Sequence, residues 1–394
     1  MKKISLGLWI LIGVVVGIAL GLAWPRAALA LSPVGEAFLR LLKMLMVPLV
    51  FFSVTSGVCK MGDVRRLRTV GLRFVLYIVL TSGLCAMAGA GFGWLLGIGS
   101  GTKEFVDEGA KVVPAAFSFV ENAIGWVPEN VVQAMANANM MQIIVFSLFL
   151  GVALLSLGER AKRLVTFIED CNEAVLRITD FVMRLSPIGI GALTAVMVVT
   201  VGGATAREVV SFVVADNVCC LLALVVLYPL LVALLTRRGV VSFARQIVDP
   251  VVVAFTTASS AATLPVSIRT AKERLDIPED VYGFTLPLGN TCGMNGFAVY
   301  IGMVCIFAFN LYGLPITLGA VARFVFLGIV LSIGAAGVKG AGIVMTTVLL
   351  ESLGLPLGIV PIIAAVWPTL DPMHTVLNNV SDLTGTAIVS DRLS

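Results

Sequence analysis

Asp371, Thr375, Asn378 and Asp382 fall at i, i+4, i+7 and i+11 within WPTLDPMHTVLNNVSD, a spacing that draws one polar stripe along a helix. His374, the only histidine of the chain, and Asn379 border that stripe. The stretch lies between the apolar runs LGIVPIIAAVW and LTGTAIV. A carboxylate at membrane depth is costly unless it faces protein, water or a bound cation, so the spacing marks a candidate binding site. A polar seam that only joins helices is the alternative. His374 reads either as a substrate-contacting or proton-carrying group or as a satisfied core histidine. A single histidine with no Cys or Glu cluster makes a poor metal site.

Two further constellations carry chemistry. GNTCGMNG, residues 289–296, breaks an apolar run with three glycines. Carbonyls freed there can replace the water shell of a hard cation such as sodium; a packing kink is the other reading. Ser259 and Ser260 in TTASSAATLP, and Gly337 to Gly342 in SIGAAGVKGAG, mark tips at which helix N-termini present N–H groups to a carboxylate. Lys339 adds a positive charge at the second tip, directed either inward or to water and headgroups.

The elements that must position these groups are membrane helices. Of the 394 residues 59% are apolar and 13% charged, too little polar surface to cover a globule in water. Apolar runs able to cross about 30 Å of hydrocarbon recur along the chain. They predict spans near 5–24, 36–58, 70–97, 137–157, 165–201, 208–236, 279–310 and 357–387. The first follows two lysines and precedes AALA, as a signal peptide would, but its length suits a retained span. Lys and Arg within 2–3, 60–68, 160–163 and 237–245 alternate with poorer loops, which puts both termini in the cytoplasm.

Regions 241–275 and 316–355 each carry small residues at mid-length, as the tip of a re-entrant hairpin requires. Each precedes a span with a polar interruption. A hairpin plus a broken span, repeated in opposite orientation, is the inverted repeat of secondary transporters, with the site where the repeats meet. The expected fold is therefore an all-α polytopic membrane protein of eight transmembrane helices and two re-entrant hairpins. A net charge of +4 gives no support to a nucleic-acid partner. The seven cysteines lack metal-ligand spacing and read as small membrane residues.

The segments FLRLLKMLMVPLVFFSV, LSPIGIGAL, SSAATLPVSIRTAKE, TLPLGNTCGMNG, GVKGAGIVM and NNVSDLTGTAIV, in this order and almost end to end, resemble the dicarboxylate/amino-acid:cation symporter family, the glutamate-transporter family. The resemblance implies an elevator-type homotrimer in a cytoplasmic (inner) membrane. Its scaffold would take residues 1–69 (spans 1 and 2) and 99–204 (spans 4 and 5). Its transport domain would take 70–98 (span 3) and 205–394 (span 6, first hairpin, span 7, second hairpin and span 8), with the second hairpin as external gate. By the same resemblance Asp371 holds a substrate α-amino group, supported by Thr375. Asn378 takes the α-carboxylate with Ser259, Ser260 and the tip backbone at Val338 and Gly342. Asp382 becomes a sodium ligand together with Gly289, Gly293 and Asn378. A second sodium uses Thr291, Ser332, Ile333 and Ala335 near Met294.

The departures from the family pattern are as informative. Asn-Met-Asp-Gly-Thr is replaced by Gly293, Met294, Asn295, Gly296 and Phe297, so the aspartate of a third sodium site is an amide. Thr81 and Ser82 of that site remain, and the tyrosine position beside them reads as Ile78. The arginine for a distal carboxylate is His374, the arginine sometimes found at the first tip is Ala258, and the tip proline is Lys339.

The expectation is a sodium-coupled amino-acid symporter without organic cofactor, leaning to a neutral substrate. Glutamate, aspartate or a C4-dicarboxylate, with proton coupling, is the alternative. An intramembrane hydrolase using Asp371 with Asp382, or Ser259 or Ser260 with His374, is disfavoured: three helical turns, roughly 16 Å, separate the two carboxylates. A channel or receptor would need the same polar centre without accumulation. No Walker loop supports ATP-driven transport.

Overall fold

The computed structural model describes residues 6–59, 67–102, 124–200, 203–334 and 341–392, and every regular element among them is a helix. The N-terminal half comprises α1 (Leu6–Ala23), α2 (Pro25–Ala30), α3 (Ser32–Cys59), α4 (Leu67–Leu96), α5 (Val131–Ala136), α6 (Met140–Leu157) and α7 (Lys162–Thr200). α8 (Gly203–Leu222) then runs through a π-turn at Ala223–Leu227 into α9 (Tyr228–Leu235). There follow α10 (Val240–Gln246), α11 (Val248–Thr257), α12 (Ser260–Glu273), α13 (Glu279–Cys292), α14 (Asn295–Leu311), α15 (Leu318–Gly334), α16 (Ala341–Leu353) and α17 (Val360–Asp391). A chain with no water around its middle must satisfy its backbone internally, and helices do so within each segment.

Five stretches among the described residues are long and apolar enough to cross a bilayer: Val70–Leu96, Gln142–Val182, Thr205–Leu235, Val281–Leu311 and Leu357–Asp391. Shorter apolar helices include Ile12–Ala23, Leu318–Gly334 and Gly342–Leu353. α1 leaves Trp9, Val15, Val16 and Leu22 exposed, whereas α14 is almost wholly buried. This is the architecture of a polytopic membrane protein with a buried central layer.

The expected break in the 279–310 region is present: α13 stops at Cys292, Gly293 and Met294 leave the helix, and α14 starts at Asn295. Over the region expected to form the first hairpin, the chain runs as helix, tip and helix. Ala258 takes the left-handed conformation at φ 47° and ends α11, and the Ser259 side chain accepts from the Ala262 N–H to start α12. The second tip, with Ala335, Val338 and Lys339, lies outside the described residues.

One expectation needs correcting. The DPMHTVLNN stretch does not interrupt its helix, since α17 is continuous over 32 residues with Pro368 and Pro372 inside it. A proline removes one N–H and bends a helix, and neighbouring helices can hold the freed carbonyls in place. The polar side chains therefore project from an intact α17.

Packing relies on close backbone approach, because apolar side chains gain little by leaving lipid for one another. A Cβ at Gly13 of α1 would stand 2.2 Å from the Pro187 carbonyl oxygen of α7, and one at Gly17 would stand 2.4 Å from that of Gly191. On a second seam, a Cβ at Gly89 of α4 would meet the Val299 carbonyl oxygen at 2.0 Å, and one at Gly302 of α14 would meet that of Ala86 at 2.1 Å. α3 packs on α6 and α7, while α17 packs on α8, α11, α13, α14 and α16. Two arginines clip the ends. Arg238 bonds Asp391 at 2.8 Å and the Leu275 carbonyl at 2.5 Å, and Arg323 donates to the Ser352 carbonyl between α15 and α16.

Candidate functional site

The buried half of α17 places its stripe against the broken helix. Asp382 is buried, and its Oδ1 has no hydrogen-bond partner among the described residues. That oxygen faces two glycines: a Cβ at Gly289 would lie 2.3 Å from it and one at Gly293 2.5 Å. A buried carboxylate oxygen without a donor is a costly arrangement unless a cation sits with it. The missing side chains at 289 and 293 let backbone and carboxylate close around one small volume. A carboxylate beside exposed backbone carbonyls would offer the oxygen ligands that a hard cation such as sodium requires.

The next turns back along α17 carry the polar groups expected for a substrate. Thr375 donates to the Asp371 carbonyl at 2.8 Å, while Asp371 itself is half-buried. The two asparagines face different neighbours. Asn378 engages the helix break, accepting from the Gly296 N–H at 2.7 Å and donating to the Met294 sulfur at 3.2 Å. Asn379 faces the first tip, donating to Ser260 Oγ at 3.4 Å and to the Thr375 carbonyl at 2.9 Å. Ser259 serves as the cap of α12, whereas Ser260 is buried beside Asn379.

Asn295 anchors a closed network. Its Oδ1 accepts from Ser82 Oγ at 2.7 Å, and its Nδ2 donates to Tyr228 Oη at 2.9 Å and Ser381 Oγ at 2.7 Å. Tyr77 donates to the Ser381 carbonyl at 2.9 Å, and Thr81 donates to the Tyr77 carbonyl at 2.7 Å. Tyr77 thus brings a phenol to Ser381, within the same network as Asn295. Sequence reasoning missed Tyr228 altogether, since a tyrosine after an apolar run carries no signal of its partner.

His374 is the larger surprise. Its Nε2 lies 2.6 Å from Oδ2 of Asp216 on α8, and both side chains are sealed from solvent at 3% and 0% exposure. Asp216 was not singled out in the sequence, although an isolated carboxylate in an apolar span is itself a signal. Cys220, one turn further along α8, brings its sulfur within 4.8 Å of the ligand atoms of this pair. Asp216 and Cys220 are thus neighbours of His374 that local spacing in the sequence does not reveal. At 2.6 Å the nitrogen and carboxylate oxygen share a hydrogen bond, with no room for an ion between them. His374 Nδ1 and Asp216 Oδ1 have no hydrogen-bond partner among the described residues.

Aromatic rings box the histidine in. Tyr300 and Trp367 lie 5.7 Å and 5.6 Å from its ring centre, Phe297 stacks on Tyr300 at 5.5 Å, and Tyr300 bonds Thr346 of α16 at 2.6 Å. Trp367 packs on the start of α16: a Cβ at Gly342 would fall 1.9 Å from its ring. Of the other expected ligands, Thr291 donates to the Pro287 carbonyl and Ser332 to the Ile329 carbonyl, each at 2.9 Å, and α13 packs on α15, whose last turn holds Ser332 and Ile333.

Apolar helices wrapped around a broken helix, an orphaned buried carboxylate and a polar stripe describe a membrane protein that carries ions and a small solute, with no nucleophile–base pair for hydrolysis among the described residues. The chain belongs to the sodium:dicarboxylate symporter family, whose profile matches residues 6–392. It is accordingly a secondary transporter of the cation-coupled symporter type and not an enzyme. It is 27% identical over 405 residues to the proton/sodium-glutamate symport protein of Bacillus caldotenax, covering 99% of this chain and 95% of the relative. It is 28% identical over 389 residues to the C4-dicarboxylate transport protein of Rhodopseudomonas palustris (strain BisB5), with coverage of 97% and 86%. To the C4-dicarboxylate transport protein of Bacillus subtilis (strain 168) it is 24% identical over 393 residues, with coverage of 98% and 93%.

Proposed function

We propose that this protein imports an amino acid across the cytoplasmic membrane, driven by sodium. The observation that carries the reading is the orphaned Asp382 Oδ1 held between Gly289 and Gly293. Sodium is cargo here: one ion is held by the Asp382 carboxylate and the backbone of Gly289, Gly293 and Asn378. A second is held by Thr291, Ser332, Ile333 and Ala335 near Met294. Asp371 takes the α-amino group with Thr375 behind it, and the α-carboxylate meets Ser260 and the asparagine pair beside the two tips, with Val338 and Gly342 on the gate side. Asn295 fills its place with a satisfied amide, so this site adds no third sodium.

Eight spans and two hairpins make up the proposed topology, with both termini cytoplasmic and a homotrimeric assembly. Residues 70–98 and 205–394 move as the transport domain against a scaffold of 1–69 and 99–204. The seam of α4 on α14 within the first group, and of α1 and α3 on α7 within the second, supports that division. The substrate side chain is proposed to be uncharged, because Ala258 and His374 stand where an acidic substrate would need a free cation, and Phe297 adds apolar surface where the family has a hydroxyl. Glutamate, aspartate or a C4-dicarboxylate is the second reading, favoured by the names of the relatives, one of which also couples protons.

Uptake into proteoliposomes decides the matter. Radiolabelled alanine, serine, glutamate and succinate should be compared under an inward sodium gradient, a proton gradient and neither. Sodium-driven accumulation of an amino acid is expected. Accumulation driven by protons without sodium, or of succinate alone, overturns the proposal.

A further inference from the structure

We propose that Asp216 is the residue that sets side-chain selectivity, by holding His374 and cancelling its charge so that the pocket turns away substrates with a distal carboxylate. The inference rests on reading the chain as an amino-acid symporter, and it names the part of the molecule that fixes its substrate class.

His374 is one turn from Asp371 and from Asn378 on α17, so it borders the groups that take the two ends of an amino acid. Among the described residues it is the one beside the stripe that could offer a positive charge. Asp216 reaches it from a different helix, α8, and binds Nε2 at 2.6 Å. The ring is held from its other sides by Tyr300 and Trp367, with Phe297 behind them. Its reorientation toward a ligand would break a buried hydrogen bond and leave both partners without water.

Charge counting gives the same answer. With Asp216 ionised, the pair carries no net charge when His374 is protonated and a net negative charge when it is not. A net positive pair requires a second proton on Asp216 itself. A distal carboxylate brought beside this buried pair therefore meets no compensating cation among the described residues, and an unpaired buried charge is strongly penalised. His374 Nδ1 remains without a partner among the described residues. On the neutral ring that nitrogen is an acceptor, suited to the hydroxyl or amide of an uncharged side chain.

The experiment measures inhibition of sodium-driven alanine uptake by glutamate and by serine in proteoliposomes, for wild type, Asp216→Asn, Asp216→Glu, His374→Arg and the Asp216→Asn/His374→Arg double variant. Serine should inhibit the wild type far better than glutamate. Asp216→Asn adds one unit of positive charge to the pair in each protonation state of the histidine. It should move the glutamate-to-serine ratio toward glutamate by roughly tenfold or more. The double variant should move it furthest, and Asp216→Glu should restore the wild-type ratio. His374→Arg alone should stay selective for serine, because Asp216 still cancels the guanidinium. This arm keeps the test decisive if Asp216→Asn does not fold.

An unchanged ratio in Asp216→Asn, or a gain of glutamate by His374→Arg with Asp216 intact, overturns the role of Asp216 while leaving symport standing. Glutamate or a basic amino acid as the best wild-type inhibitor also overturns it. Failure of the wild type to take up any amino acid with sodium removes the symport reading, and this inference with it.

Discussion

Replacing Gly289 by alanine tests the cation cradle without touching any charge. The added Cβ would stand 2.3 Å from Asp382 Oδ1 and 2.6 Å from its Cγ. A carbon–oxygen contact needs about 3.3 Å, so the carboxylate or α13 must shift by about 1 Å. Ion-binding geometries hold to about 0.2 Å, which makes that shift several times too large. The methyl group should cost about 1–3 kcal/mol of overpacking, and should raise the sodium concentration for half-maximal binding at least about tenfold. Gly283 on the same helix is a built-in control, since a Cβ there meets nothing within 4 Å. Gly283→Ala should leave the sodium response unchanged. The assay is the rise in unfolding temperature with sodium, in detergent, read alongside the sodium dependence of uptake. A wild-type sodium response in Gly289→Ala would refute the assignment of Asp382 as a cation ligand.

Other perturbations follow from the same geometry. Asp371→Asn should weaken amino-acid binding by at least about 1.5 kcal/mol, roughly tenfold, while leaving the sodium-dependent shift in place; isothermal titration at fixed sodium checks both. Asn295→Asp puts a carboxylate among Ser82, Tyr228 and Ser381, so its unfolding temperature should fall in choline chloride and recover in sodium, with a steeper sodium dependence than wild type. Arg238→Ala removes the guanidinium bonds to Asp391 and to the Leu275 carbonyl that join the ends of three helices, and should lower stability by about 1–3 kcal/mol by thermal unfolding, with substrate selectivity unaltered.

The sequence was most readable where one local rule decided the outcome. The 3.6-residue period alone put Asp371, Thr375, Asn378 and Asp382 on one face, and α17 carries them so. Glycine density located the break at Gly293 and Met294, and small polar residues located the tip at Ala258 and Ser259. Legibility ended where a partner comes from a distant segment. Asp216 meets His374 across 158 positions and Tyr228 meets Asn295 across 67, and neither pairing leaves a trace in local spacing. Adjacent Asn378 and Asn379 differ by about 100° around the helix, so their tasks depend on which neighbours flank α17. The polar stretch in α17 misled for a related reason: polar residues within an apolar run read as an interruption, whereas α17 stays helical through them, prolines included.

The two glycine seams also bear on how the molecule transmits force. Where α4 lies on α14, and α1 on α7, one backbone rests on another with no long side chain between them. Such a contact has no rotamers to rearrange, so it cannot soften as side chains begin to hop. A push on either helix of a seam passes to its companion without slack. Compliance is left to surfaces where long, rotatable side chains interleave.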